Sequence, residues 1–186
     1  TPALYTLRVT VTANGTADTA EQRIGIRTIQ VNSETGLLLN GQPRTMKGGC
    51  IHHDLGILGS ADHAAAERRR IRLMKESGFD AIRAAHNPFG PAFLDACDEL
   101  GMLVVEEAFD EWVMGRTSFG LHVTFEQCWE KDLEDMITRD YNHPCIVMWS
   151  TGNEVEERDG TADGFAWAKR LADKVRSLDA SRPVSA

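Results

Sequence analysis

Hydrophobic alternation governs the start of this chain, and helical spacing interleaved with short apolar runs governs the rest. Residues 4–11, Leu-Tyr-Thr-Leu-Arg-Val-Thr-Val, alternate and are rich in β-branched types. Asn14-Gly15 punctuates them, and Arg23 to Ile29 alternate again. Two or three strands do not close a sandwich alone, so this stretch predicts the last strands of a domain. Leu37-Leu38-Leu39-Asn40-Gly41-Gln42-Pro43 predicts a short strand and a tight turn. The domain boundary is placed there, dividing residues 1–40 from 41–186.

Beyond the boundary, strand and helix patterns take turns. Arg44 to Ile51 predicts a strand, followed by a helix with Ser60 as N-cap, Ile71 and Met74 on one face, and Gly78 as terminator. Phe79 to Arg83 is the next strand. Pro91 suits the first turn of a helix, with Phe93, Cys97 and Leu100 on its apolar face and Gly101 at its end. Met102 to Val105 is an unbroken apolar strand, as a sheet buried on both faces requires. A helical stripe at Phe125, Trp129, Leu133, Met136 and Ile137 leads to a strand at Cys145–Trp149. A last stripe at Ala168, Leu171, Val175 and Leu178 precedes a strand starting at Pro183-Val184-Ser185-Ala186. Repeated βα units mean a parallel sheet, open or closed into a barrel. A (β/α)₈ barrel takes about 250 residues, so four units and a trace of a fifth predict an α/β fold that is half a barrel.

Composition narrows the partners. The net charge is −8, from 20 basic and 28 acidic residues, so neither nucleic acid nor an anionic membrane is an expected partner. Arg68-Arg69-Arg70 and Arg72 spread around a helix and are diluted by Glu67 and Glu76, which reads as a solvated face. No run has the length of a membrane span. Cys50, Cys97, Cys128 and Cys145 lack the spacing of a zinc or redox motif and read as buried free thiols. The chain opens at Thr1 rather than Met and reads as an excised piece.

In parallel α/β sheets the working residues lie at the carboxyl ends of the strands. The ends predicted here are Cys50-Ile51-His52-His53-Asp54, Arg83-Ala84-Ala85-His86-Asn87, Glu106-Glu107-Ala108-Phe109-Asp110-Glu111-Trp112 and Ser150-Thr151-Gly152-Asn153-Glu154. Each carries His, Asp or Glu just past its apolar run. Aromatic rings and carboxylates gathered on one rim suit a sugar, whose C–H face packs on rings and whose hydroxyls bond to carboxylates and amides. Adjacent histidines on an extended segment point to opposite sides, which argues against a metal at His52-His53-Asp54.

His86-Asn87-Pro88, Cys97-Asp98-Glu99-Leu100-Gly101, Asn142-His143-Pro144 and Trp149-Ser150-Thr151-Gly152-Asn153-Glu154 resemble the signatures of glycoside hydrolase family 2. Ile24-Gly25-Ile26-Arg27, Asn40-Gly41 and Lys47-Gly48 resemble that family's junction between an immunoglobulin-like sandwich and its barrel. His52-His53-Asp54 and Ala108 to Trp112 lean toward its β-galactosidase branch. The resemblance implies a partial (β/α)₈ TIM barrel preceded by the last strands of the sandwich, and a retaining double displacement. Glu154 would be the general acid/base, raised in pKa by burial or a nearby carboxylate. Asn153, His86, Asp54, Asp110, Glu111 and Trp112 are the candidate substrate-binding residues. Helix caps and salt bridges account equally well for Asp54, Asp110 and Glu111, and Trp149 is assigned to the core. The nucleophile would be a second Glu beyond residue 186, so this stretch alone would be inactive.

Some family members hold Mg²⁺ through a Glu and a His two residues on. Glu111 matches the first, but Val113 stands at the second, so no metal or cofactor is expected. Glu106-Glu107 stands where Asp-Glu is usual. β-Glucuronidase and β-mannosidase are the alternatives within the family, and a non-catalytic carbohydrate-binding barrel is the alternative outside it. No strand is followed by a glycine-rich phosphate loop, which disfavours a nucleotide-binding sheet. Two open sheet edges would leave such a piece poorly stable or associating, so a homo-oligomer joins carbohydrate among the expected partners.

Overall fold

The computed structural model describes residues 2–160 and 163–185. β1 (Leu4–Ala13) and β2 (Thr16–Gly25) form an antiparallel hairpin in register from Leu4↔Gly25 to Ala13↔Thr16. The Asn14-Gly15 turn has φ of +50° and +79°, the primed-turn geometry that matches strand twist. The alternation on β1 leaves Tyr5, Leu7, Val9 and Val11 exposed among the described residues. β3 (Ile29–Asn32), β4 (Gly36–Leu39) and β5 (Gln42–Pro43) form a second, three-stranded antiparallel sheet. β5 pairs back onto β4 across the boundary expected at residue 40.

The larger body is a parallel sheet of β6 (Gly48–Ile51), β7 (Ala81–Ala84), β8 (Leu103–Glu107), β9 (Ile146–Ser150) and β10 (Val184–Ser185), adjacent in chain order. That order has no reversal, hence no switch point of the kind at which doubly wound sheets bind nucleotides. It is the order of a barrel wall. The four connecting helices are α1 (Ala64–Glu76), α2 (Pro91–Leu100), α3 (Phe125–Asp140) and α4 (Gly164–Leu178). Their apolar stripes and the sheet form one core around Ile71, Phe93, Val104, Leu133, Ile146 and Leu171, all fully buried.

Local chemistry sets the element ends. Pro91 opens α2 at its first turn, and Gly101 closes it at φ +71°, with its N–H on the Cys97 carbonyl. α1 starts later than Ser60 suggests: His63 is its extended N-terminal flank, and residues 56–58 form a separate 3₁₀ turn. The expected strand from Phe79 begins instead at Ala81, because the Asp80 carboxylate accepts the Lys47 N–H at 2.7 Å and pairs with Arg44. β10 holds Val184 and Ser185, and Ala186 lies outside the described residues.

The arginine run disperses, as a solvated helix face should, with one exception. Arg68 pairs with Glu99 and Arg72 with Glu76. Arg70 turns inward to Glu67 and the carbonyls of His52 and Asp54, over the rings of Phe89 and Phe93. All four cysteines are free: Cys97 and Cys145 are buried and Cys128 is partly so. Cys50 is exposed, contrary to expectation, because β6 is an outer strand of the parallel sheet.

Candidate active site

An open cleft of about 580 Å³ lies over the carboxyl ends of β7, β8 and β9. His86 and Asn87 enter it from the turn after β7, Asp110 and Arg116 from the loop after β8, and Asn153 and Glu154 from the turn after β9. The fold therefore brings four of the candidate residues (His86, Asp110, Asn153 and Glu154) together from segments far apart in sequence, with Glu111 on the same wall.

Glu107, at the end of β8, organises the floor and is fully buried. Its Oε2 accepts from Arg83 Nε and Nη2 at 2.9 and 2.7 Å and from Ser150 Oγ at 2.8 Å. Its Oε1 lies 2.7 Å from His86 Nδ1, and because a carboxylate only accepts, that nitrogen carries the proton. Arg83 Nη2 also donates to Asn153 Oδ1 at 2.9 Å, and Asn153 Nδ2 donates to Asp110 Oδ1 at 2.9 Å. Every polar atom of the buried Asn153 amide is thus aimed by an ionised neighbour.

Glu154 follows directly at φ +34°, a left-handed conformation that a non-glycine residue adopts at a cost and that clusters at working sites. Its side chain is 77% exposed, and Arg116 Nη1 lies 3.7 Å from its carboxylate. The burial expected around Glu154 is not supplied by the described residues.

Glu111 is buried and turned toward the protein. Its carboxylate accepts the Arg116 and His122 backbone N–H groups at 3.0 and 3.1 Å and faces His122 Nδ1 at 3.0 Å. Burial opposes its ionisation, but these donors outweigh it and hold its pKa below the ordinary carboxylate value. It acts as a clamp on the loop between β8 and α3. The structure does not bring Trp112 to the cleft: the indole is buried and donates to the Thr151 carbonyl at 2.8 Å. Asp54 is also apart from the cleft residues, its carboxylate accepting the Gly56 N–H at 3.0 Å.

Glu106 points to the opposite side of β8 from Glu107 and is fully buried. Its Oε1 accepts the Phe89 N–H at 2.8 Å, and its Oε2 has no partner among the described residues. Burial pushes this carboxyl well above 4.5, aided by Asp140 and opposed by the Phe89 N–H and Arg139. The folded state therefore holds a proton that the unfolded state releases, so wild-type stability should fall as pH rises above that value. Glu106→Gln, which cannot ionise, is expected to gain melting temperature relative to wild type between pH 5 and pH 9. Parallel melting curves across that range would place the charge elsewhere.

The motifs divide between the two ends of the sheet. His86-Asn87 and Asn153-Glu154 serve the cleft. At the amino end of β9, Asp98 accepts from His143 Nδ1 at 2.7 Å and from the Cys145 N–H at 2.8 Å, which ties α2 to the strand. Arg83, Glu107, Ser150, Arg116 and His122 escaped the sequence reading as site residues. A charged residue inside a four-residue strand of alanine and isoleucine was the available signal for Arg83.

A sheet wound in strand order with polar groups gathered at its carboxyl rim is the arrangement of a (β/α)₈ barrel wall. The family model described as "Glycosyl hydrolases family 2, TIM barrel domain" matches residues 29–186, and the chain belongs to this family. A β-galactosidase of Bacteroides ovatus is 37% identical over all of this chain and 26% of its own length. The β-glucuronidase of Sus scrofa is 31% identical over 98% of this chain and 28% of its own length. The crystal structure of a family 2 member from Bacteroides cellulosilyticus superposes with a TM-score of 0.94 at 43% identity, covering 97% of this chain and 23% of that one. The chain thus spans about a quarter of the length of these relatives.

Proposed function

We propose that this chain is part of a retaining exo-β-glycosidase, by first choice a β-galactosidase acting on terminal β-galactosides, with Glu154 as general acid/base. The observation that carries the reading is the seating of Glu154 and Asn153 at the end of β9, in one cleft with His86 and Asp110. In the first step a carboxylate nucleophile attacks the anomeric carbon while Glu154 gives its proton to the departing oxygen. In the second, the Glu154 carboxylate takes a proton from water as that water displaces the enzyme carboxylate, and the β-configuration is restored. The nucleophile in this reading is a Glu outside residues 1–186, about 5–5.5 Å from Glu154 in the assembled site. Residues 1–186 alone are then inactive. Asn153, Asp110 and His86 Nε2 bind sugar hydroxyls, and Glu107 and Arg83 hold them in place. We assign residues 1–40 to the last strands of an immunoglobulin-like sandwich and 41–186 to the first half of the barrel.

A β-glucuronidase is the second reading, supported by relatives of that name at comparable identity. The test uses a polypeptide of the relatives' length carrying this chain, offered nitrophenyl β-galactoside, β-glucuronide and β-mannoside, with the first-formed sugar anomer read by proton NMR. The β-galactoside should turn over fastest and release the β-anomer first. An α-anomer appearing first would defeat retention, and a wild type inert on the whole panel would favour a binding barrel.

A further inference from the structure

β8 ends in two successive carboxylates, and together they hold the segment that joins β7 to α2 at two points. Glu107 faces His86 Nδ1 at 2.7 Å from one side of the strand, and Glu106 accepts the Phe89 N–H at 2.8 Å on the other. Arg139 of α3 donates to the Phe89 carbonyl at 2.5 Å, so side chains take both main-chain groups of Phe89. The Phe89 ring is buried, stacked on the His53 ring at 4.0 Å and tilted against Phe93 at 4.5 Å. Glu106 Oε2 has no partner among the described residues, and a buried polar oxygen left unpaired costs stability. The fold bears that cost at the point where this segment is fixed.

Asn87 is the exposed residue inside this frame. Pro88 follows it and restricts its backbone to extended conformations. His53 Nε2 lies 3.4 Å from its carbonyl. Asn87 lines the cleft with His86, Asp110 and Asn153. The Asn153 amide is engaged by Arg83 and Asp110, whereas the Asn87 amide has no partner among the described residues. An amide carries two donors and an acceptor, which suits a hydroxyl that both gives and takes a hydrogen bond. With its main chain fixed on either side, Asn87 has only its own side chain to order when a ligand arrives.

We infer that Asn87 binds a hydroxyl of the sugar and that Glu106 is its positioning residue, acting through the Phe89 N–H. The inference rests on the glycosidase reading of the cleft. Glu106 itself touches no substrate: it lies behind the segment, on the side of β8 away from Glu107.

The test is a double-mutant cycle in a polypeptide of the relatives' length, on whichever nitrophenyl β-glycoside the wild type cleaves best. Asn87→Ala should lower kcat/KM about five- to tenfold, the worth of one hydrogen bond, and mainly through KM. Glu106→Met removes the acceptor while filling the same space, and should cost a similar factor. The double variant should lose no more than the worse single one, because both changes remove one interaction. Glu106→Gln keeps an acceptor for the Phe89 N–H and should restore most of what methionine loses. Should Glu106→Met not fold, Glu106→Leu takes its place in the cycle. Multiplying losses in the double variant would make Glu106 a purely structural residue and overturn its part, as would a glutamine variant no better than methionine. An Asn87→Ala enzyme with undiminished kcat/KM would overturn the contact with sugar. A wild type inert on every glycoside would instead remove the glycosidase reading, and this inference with it.

Discussion

In a polypeptide of the relatives' length, Glu154→Ala should lower kcat/KM on an alkyl β-galactoside by about 10²–10⁴, the range that a positioned proton donor contributes. An alkoxide leaves slowly without a proton, so the first step collapses. A nitrophenolate leaves unaided, so with that substrate the loss moves to the second step, where water must be deprotonated. Azide needs no base, and millimolar azide should restore turnover while yielding the β-galactosyl azide. Rescue with that stereochemistry separates an acid/base from a residue that merely holds the site together. Glu156→Ala, two residues on and partly exposed, is the control for local disturbance. Undiminished hydrolysis of the alkyl glycoside by Glu154→Ala would end the mechanism proposed here.

The chemistry of that prediction was legible in the chain because strand ends are legible. Unbroken apolar runs fixed β8 and β9, and the polar residues just after them fell at the rim whether the sheet was open or closed. Pro91 and Gly101 bracketed α2 to the residue, since each has a backbone constraint of its own. What could not be read is which way a polar side chain turns. Glu111 and Asp110 are neighbours with the same charge, yet one faces a loop and the other the cleft. That choice is set by His122, eleven residues on, and by Asn153, forty-three residues on. Trp112 had the composition of a sugar platform, but the Thr151 carbonyl at the end of β9 draws its indole inside. Ser60 failed as a cap because the 3₁₀ turn before it delays the helix by a turn.

The largest expected loss of stability is at Asp179, remote from the cleft but wired to the strand that carries Glu154. Its Oδ2 takes the Trp149 indole N–H at 2.8 Å and Arg182 Nη1 at 2.5 Å, and its Oδ1 takes the Ser181 N–H and hydroxyl at 2.8 and 2.6 Å. Arg182 in turn donates to the carbonyls of Ile146, Tyr141 and His143, at the amino end of β9. Burial opposes charge on Asp179, but Ser181, Trp149 and Arg182 outweigh it and bring the pKa down to about 2 from 3.8. A carboxylate held below its unfolded value contributes stability above pH 3.8 and loses it as pH falls through about 2. That shift is worth about 2 kcal/mol. Asp179→Ala should cost more, about 3–5 kcal/mol, because it strands the Arg182 guanidinium, which is 6% exposed, without its counter-ion. In a polypeptide of this size that is a fall of about 10 °C in melting temperature at pH 7. The alanine variant should also flatten the acid limb of the stability profile below pH 4. Replacing both partners together, Asp179→Leu with Arg182→Met, leaves no buried charge unpaired and should recover much of the loss. If the single and double variants melt alike, the ion pair is not what fixes β9, and the hydrogen bond to Trp149 carries the effect instead.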